Sequence, residues 1–248
     1  PKLDSEGEPA SLEDFIERMH QLNMRNTIFV DNTASEAVSQ IYDTILGHAI
    51  SIATCNKISA SSSYKRYVHL KEEARRNNVQ FLYETNVGAG LPLLSTLHDL
   101  LKTGDKIKRV EAVLSGSMNF IFNQFASGNT FYGALRLAMD AGFTEPDPRE
   151  DLYGTDVKRK ILIIAREAGY RLELDDIVME PYLPDACYEQ ERLEDFMEAL
   201  KENQHSLSGR WAPEIDRGNR LRMMAVLDQG KARIEIQSVS PEHPAYDL

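Results

Sequence analysis

Three short apolar runs, Thr27 to Val30, Ala49 to Thr54 and Val79 to Tyr83, are separated by segments whose apolar residues recur at helical spacing. In the first of these segments Val38, Ile41, Tyr42, Ile45 and Leu46 share one face, and Gly47 reads as its stop. The second is expected to be helical from about Ser63 to Asn77. Strands joined by helices of this length imply right-handed crossovers and a parallel sheet with both faces covered. Ligands of such sheets bind beyond the carboxyl ends of the strands. Those ends carry Asp31-Asn32-Thr33, Asn56-Lys57 and the run Glu84-Thr85-Asn86-Val87-Gly88-Ala89-Gly90-Leu91-Pro92.

Upstream, Pro1 to Pro9 read as an irregular acidic lead-in, and Ser11 is expected to cap a helix ending near Leu22. Downstream the pattern changes. Leu93 to Lys102 predicts a helix, Lys106 to Leu114 a strand, and Ser115-Gly116-Ser117 a turn into an apolar helix bearing Phe120, Ile121 and Phe125. Thr130 is expected to cap a helix to about Gly142, and Gly169 to end one running from Tyr153 to Ala168. A shorter helix is expected near Leu193 to Glu202. Leu221 to Leu227 and Ala232 to Ser238 then flank Asp228-Gln229-Gly230-Lys231 as a hairpin. The fold class is therefore α/β: a partial Rossmann-like parallel sheet over residues 1–86, followed over residues 87–248 by an α+β domain.

A net charge of −11 leaves no basic face for nucleic acid or an anionic membrane, so neither is expected as a partner. No apolar run approaches the roughly 20 residues of a membrane span. Cys55 and Cys187 are too few and too far apart for a disulfide framework or a zinc site. A soluble protein of a reducing compartment, the cytoplasm, is expected.

The chemistry concentrates between Thr144 and Lys160. Pro146 and Pro148 fix their own φ and push Glu145 and Asp147 toward extended geometry, so this charged loop has few conformations to lose on binding. Asp156 and Lys160 stand four apart on one helical face, with Glu145 and Asp151 arriving from the loop. Carboxylates with a lysine suit recognition of an ammonium and a hydroxyl, the lysine being placed for proton transfer. The plain alternative for Asp156 and Lys160 is a surface pair of ~0.3–0.5 kcal/mol, and for Lys57 a solvated lysine. Gly88-Ala89-Gly90 lacks the third glycine of a dinucleotide fingerprint. A tight turn there, or a hard cation held by carbonyls beside Glu84, fits equally well. No nucleophile elbow or phosphate-binding Gly-Lys loop occurs, and the histidines lack metal-ligand spacing.

The runs Glu84 to Pro92, Leu114-Ser115-Gly116-Ser117-Met118-Asn119-Phe120-Ile121, Gly142 to Arg149 and Asp151 to Lys160 together resemble homoserine dehydrogenase. Val30-Asp31-Asn32-Thr33-Ala34-Ser35 and Asn56-Lys57 look most like the form fused behind an aspartate kinase. The resemblance implies a reversible, NAD(P)-dependent interconversion of L-homoserine and L-aspartate 4-semialdehyde on the way to threonine and methionine. It implies that Lys160 is the catalytic lysine and Lys57 a second active-site lysine near the cofactor. Glu145 and Asp156 match the holders of the substrate amino and hydroxyl groups, and Asp151 a supporting carboxylate. Thr33 and Gly142 match cofactor-contacting positions. Glu84 with the carbonyls of Val87, Ala89 and Leu91 resembles a monovalent-cation site, Na+ being expected. A homodimer formed through the second domain, and an N-terminal aspartate kinase domain in the full-length protein, also follow from the resemblance. Glu150 stands where the family commonly has Asp.

Two departures bear on activity. Family members open this unit with a strand and a glycine-rich turn around the cofactor pyrophosphate, and close it with another glycine-rich segment; neither is legible between Pro1 and Leu248. Hydride chemistry belongs to the cofactor, so the stretch alone is expected not to turn over. The alternative, from a different class, is a catalytically silent assembly or ligand-binding module built on the same fold.

Overall fold

The computed structural model describes residues 11–22 and 24–248. The acidic lead-in from Pro1 to Pro9 lies outside them. The chain divides into two compact units, one ending at Leu93 and one spanning Leu94–Leu248.

The first unit begins with helix α1 (Leu12–Leu22), whose first turn is capped by Ser11 Oγ accepting from Asp14 N at 3.2 Å. Strands β1 (Ile28–Asp31), β2 (Ser51–Thr54) and β3 (Phe81–Leu82) form a parallel sheet in that order. The expected helix between β1 and β2 is two short ones, α2 (Glu36–Gln40) and α3 (Tyr42–Gly47), broken at Ile41. Gly47 is the last helical residue and not the left-handed stop; Ala49, at φ 58°, makes the reversal. Helix α4 (Tyr64–Arg76), capped by Ser63, joins β2 to β3.

Phe29 and Ile52 turn inward with Tyr42, Ile45, Leu46 and Leu70 to form the core. Each such large apolar side chain contributes about 1.5–3 kcal/mol by leaving water. The expectation that both sheet faces are covered is not met. Ile28, Val30 and Leu82, which point away from that core, are 57%, 60% and 53% exposed. The strand period of two sends these alternate apolar residues to the other face, where none of the described helices packs over them.

The second unit is built on a mixed sheet in the order β4-β6-β7-β5, comprising β4 (Arg109–Val113), β5 (Val178–Met179), β6 (Arg220–Asp228) and β7 (Lys231–Val239). The hairpin between β6 and β7 turns at Gln229 and Gly230, both with positive φ, as a two-residue loop requires. Any side chain at position 230 would meet the ring of Tyr170 at 2.9 Å, so the turn needs glycine for space as well as for φ. Helix α5 (Leu93–Lys102) opens this part of the chain, followed by α6 (Gly116–Ala126) and α7 (Phe131–Asp140), capped by Ser115 and Thr130.

The acidic stretch does not run straight into one helix from Tyr153. It folds as the single turn α8 (Arg149–Leu152), reverses at Gly154 (φ 64°), and enters α9 (Thr155–Glu167). Val157 and the run Ile161 to Ala165 are buried, with α9 lying against β6 and β7. After α10 (Asp185–Tyr188), the helix expected to end near Glu202 continues as α11 (Leu193–Asp216) through Pro213. Leu207 and Trp211 carry its buried face past the predicted end. Packing of that face outweighs the backbone hydrogen bond that proline cannot donate. Among the described residues no helix is long and apolar enough to cross a membrane.

Candidate functional site

In the second unit one lysine is fixed from two sides. Lys160 Nζ donates to the carbonyl oxygen of Leu114 at 2.7 Å and pairs with Asp156 Oδ2 at 2.7 Å. Asp156 lies one turn earlier on α9, as the spacing predicted. Leu114 comes from a distant part of the chain, just after β4; the run it opens carries the family resemblance, but nothing in its spacing placed it beside Lys160. Lys160 is largely shielded and Asp156 open, their side chains 21% and 52% exposed. The pair therefore sits at a rim, not in a sealed core.

Asp151 organises the loop. Its Oδ2 accepts the backbone N–H of Glu145 at 2.8 Å and its Oδ1 accepts the Ser117 hydroxyl at 2.6 Å. Ser117 Oγ lies 2.9 Å from Ser115 Oγ, which accepts from Met118 N as the cap of α6. The turn from Leu114 to Ser117 thus reaches both the lysine and, through Asp151, the Glu145 backbone. Glu145 itself is exposed. Gly142, at φ 71°, ends the reversal after α7 and is also exposed.

Arg149 grips Asp147 with Nε at 2.9 Å and Nη2 at 2.5 Å, and its Nη1 donates to the carbonyl of Glu191 at 2.8 Å. This pins the loop to the segment before α11. Hydrogen bonding from the Arg149 guanidinium, the largest cause, holds the Asp147 carboxyl below its ordinary value of 3.8. A depressed carboxyl pKa contributes order that is complete above the ordinary value and disappears as pH falls through the lowered one. The Arg149 amide donates to Asp147 Oδ1 at 3.0 Å. Its protection from hydrogen exchange, corrected for intrinsic rate, is therefore expected to hold from pH 7 down to 3.8 and to be lost below. Asp147→Asn should show no such step. A step that persists in the variant would assign it to another group.

In the first unit, Thr33 donates its backbone N–H to Asp31 Oδ1 at 2.7 Å, and its hydroxyl accepts from Ser35 N at 3.1 Å. Lys57 follows the buried Asn56 beyond β2, and its carbonyl accepts both the amide and the hydroxyl of Ser61. Glu84 opens a single 3-10 turn, Glu84–Asn86. Val87 is buried, and Gly88 and Ala89 both have positive φ, at 83° and 51°. The Leu91 carbonyl accepts from Leu93 N at 2.9 Å and retains a second lone pair. Successive left-handed residues aim carbonyls out of the usual ladder, and a carboxylate with carbonyl oxygens suits a hard cation and not a thiophilic metal. Among the described residues no group of His, Cys, Asp and Glu could hold a metal by side chains alone.

Through the turn from Leu114 to Ser117 the structure links Asp151 and the Glu145 backbone to the Lys160–Asp156 pair in the second unit, and it places Thr33 and Lys57 beyond the strand ends of the first. It adds Ser117, Leu114 and Arg149, which sequence reasoning missed. The Ser115 cap was readable, but the long-range partners carried no local signal.

A parallel sheet with polar strand ends and a separate unit bearing a lysine–carboxylate site define a two-part α/β protein of nucleotide-binding type. A family model described as homoserine dehydrogenase matches residues 92–248, and one described as homoserine dehydrogenase, NAD binding domain, matches residues 2–84. The chain belongs to the homoserine dehydrogenase family. It is 39% identical to the bifunctional aspartokinase/homoserine dehydrogenase 1, chloroplastic, of Zea mays, covering 100% of this chain and 27% of the maize protein. With the bifunctional aspartokinase/homoserine dehydrogenase of Haemophilus influenzae it shares 36% identity, covering 99% and 30% of the two chains. The chain thus spans less than a third of these relatives. A Candida auris protein described as of unknown function superposes with TM-score 0.89 at 30% identity, covering 97% of this chain and 69% of the other. A hyperthermophilic archaeal homoserine dehydrogenase in complex with NADPH has the same fold, with TM-score 0.70 at 23% identity, covering 98% and 66%.

Proposed function

We propose that this chain carries the substrate-binding and proton-transfer apparatus of a homoserine dehydrogenase, interconverting L-homoserine and L-aspartate 4-semialdehyde with NADP or NAD. The observation that carries the reading is Lys160, held by a main-chain carbonyl and Asp156 beside a loop whose Glu145 backbone is set by Asp151. A bound NADP or NAD, held by Thr33, Lys57 and Gly142 in this reading, would supply the hydride chemistry. Lys160 handles the accompanying proton. An ammonium has three donors; with Leu114 O and Asp156 taking two, the third is placed for the substrate oxygen. It gives a proton to the aldehyde oxygen in reduction and, as the neutral amine, receives the hydroxyl proton in oxidation. Glu145 and Asp156 hold the substrate ammonium and hydroxyl, and Asp151 keeps Glu145 in register.

In the same reading Thr33, Lys57 and Gly142 meet the cofactor. The family match over residues 2–84 and the polar strand ends of the first unit support that role for Thr33 and Lys57, while Gly142 rests on the resemblance alone. Na+ is the cation suited to Glu84 and the carbonyls of Val87, Ala89 and Leu91. The relatives' bifunctional names support an aspartate kinase domain in the full-length protein. The same reading makes that protein a homodimer of a reducing compartment such as the cytoplasm, within threonine and methionine synthesis. The test is absorbance of NADPH on adding homoserine and NADP to the full-length protein, with calorimetry of homoserine binding alongside. Homoserine-dependent NADPH formation is expected. Neither turnover nor binding would replace the enzyme reading with that of a silent module.

A further inference from the structure

Buried polar residues stand at or just beyond the carboxyl ends of the three strands of the first unit. Asp31, Asn56 and Asn86 are 1%, 2% and 1% exposed; Asp31 is the last residue of β1, Asn56 follows the end of β2, and Asn86 closes the 3-10 turn after β3. Burying such groups costs free energy that apolar side chains would not incur, so their placement calls for a reason beyond packing.

The Asp31 carboxylate is satisfied entirely by neutral donors. Its Oδ1 takes the Thr33 amide at 2.7 Å, and its Oδ2 takes the Tyr42 hydroxyl at 2.6 Å and Asn56 Nδ2 at 3.1 Å. The Tyr42 oxygen is also 2.8 Å from Thr54 Oγ1, which accepts the Asn56 amide at 2.8 Å. Asn56 Nδ2 donates in addition to the Ser35 carbonyl at 2.9 Å, and its Oδ1 accepts the Ile58 amide at 3.0 Å. One side chain therefore holds the loop after β1 and spans the residue on either side of Lys57. Asn86, with its amide oriented so that nitrogen faces oxygen, donates to the carbonyls of Cys55 at 3.1 Å and Thr54 at 3.2 Å. The result is a polar rail running across all three strand ends.

We propose that Asp31, Asn56 and Asn86 are positioning residues that lock the backbone of Thr33 and Lys57 into one fixed relation, with Asp31 as the anchor. The proposal rests on the reading of Thr33 and Lys57 as active-site residues. Its physical basis is that a residue tethered at its neighbours loses few conformations when cofactor and substrate arrive, and misplacement of about 1 Å costs up to about 100-fold in rate. Asp31 touches no reacting atom in this scheme. It acts through the Thr33 amide and through Asn56. Burial raises its pKa, while hydrogen bonds from Tyr42, Thr33 and Asn56 more than offset this and keep it below the ordinary value, so the anchor is ionised near neutrality.

The test is Asp31→Asn in the full-length protein, with Asn56→Ala as a second variant should the first fail to fold. Ile52→Val, which trims the core of the same sheet, is the structural control. Hydrogen exchange at Thr33 and Ile58 should quicken by about tenfold or more in the rail variants, the loss of a charged or buried hydrogen bond, with core amides little changed. The kcat should fall while the homoserine KM moves little. A uniform rise in exchange like that of Ile52→Val, or an unchanged kcat with Thr33 and Ile58 loosened, overturns the proposal. If the unsubstituted protein does not oxidise homoserine, the functional reading fails by itself. The exchange pattern then still supports or overturns the anchoring.

Discussion

Lys160→Ala is expected to lower homoserine-dependent reduction of NADP by about 10²–10⁴-fold, the contribution of a positioned acid–base group. The protein should stay folded. α9 is held by Val157, Ile161, Leu162 and Ile164, which are buried, whereas Lys160 sits at the rim and its removal should cost no more than about 1 kcal/mol. Lys160→Arg sharpens the result. A guanidinium keeps the charge and reaches the Leu114 carbonyl, but it does not release a proton near neutral pH. Its kcat should therefore fall about as far as that of the alanine variant, while the homoserine KM shifts less. Steady-state assays in both directions, with circular dichroism as the folding check, decide the matter. Normal turnover in either variant would reduce Lys160 to an anchor for the turn after β4.

The second large effect is on stability and concerns Arg222. This arginine lies in β6, fully buried, and most of its hydrogen-bond partners are main-chain oxygens. Its Nε donates to the Ala245 carbonyl at 2.9 Å. Nη1 donates to Asn123 Oδ1 at 2.9 Å and the Leu221 carbonyl at 2.8 Å, and Nη2 to the carbonyls of Tyr246 and Leu248 at 2.7 and 3.0 Å. Every guanidinium N–H is thereby used. Burial, followed by the neighbouring Arg220, lowers its pKa from the ordinary guanidinium range. The fan of oxygens, with Tyr246 and the Asp247 carboxylate nearby, makes the buried charge tolerable.

Arg222→Met keeps the volume and removes the donors, stranding the buried carbonyls of Ala245 and Leu221 at about 1–3 kcal/mol each. A loss of about 3 kcal/mol and a fall in unfolding midpoint of roughly 6–12 °C are expected by calorimetry. Cleavage near Ala245 by a nonspecific protease should appear first. Arg222→Lys should fall between the two, since an ammonium has fewer donors and no fork. An unchanged midpoint in Arg222→Met would show that water or local rearrangement satisfies those carbonyls.

Much of the fold was legible because its signals are local. Ser11 and Thr130 accept from an amide three residues on, as expected of caps, and Ser63 and Ser115, read as the start of a helix and as a turn into one, do the same. The parallel order of β1, β2 and β3 followed from alternating periods, and the β6–β7 hairpin from Gln229-Gly230. Predictions strayed where packing outweighed local preference. Helix α11 runs through Pro213, the helix before β2 breaks at Ile41, and the apolar face of Ile28, Val30 and Leu82 is open among the described residues.

For the site, local spacing is enough to name the chemistry at hand. Asp156 and Lys160 four apart on a helix, after a proline-stiffened acidic loop, specify a lysine among carboxylates. What orients them comes from contacts between distant segments. The Leu114 carbonyl meets Lys160 across a gap of 46 residues, Ser117 meets Asp151 across 34, and Asn56 meets Asp31 across 25. Helical periodicity constrains neighbours a turn apart, because the backbone fixes their relative direction. It says nothing about partners that meet only when separate elements pack, and those are the contacts that convert a charged stretch into a site with one geometry.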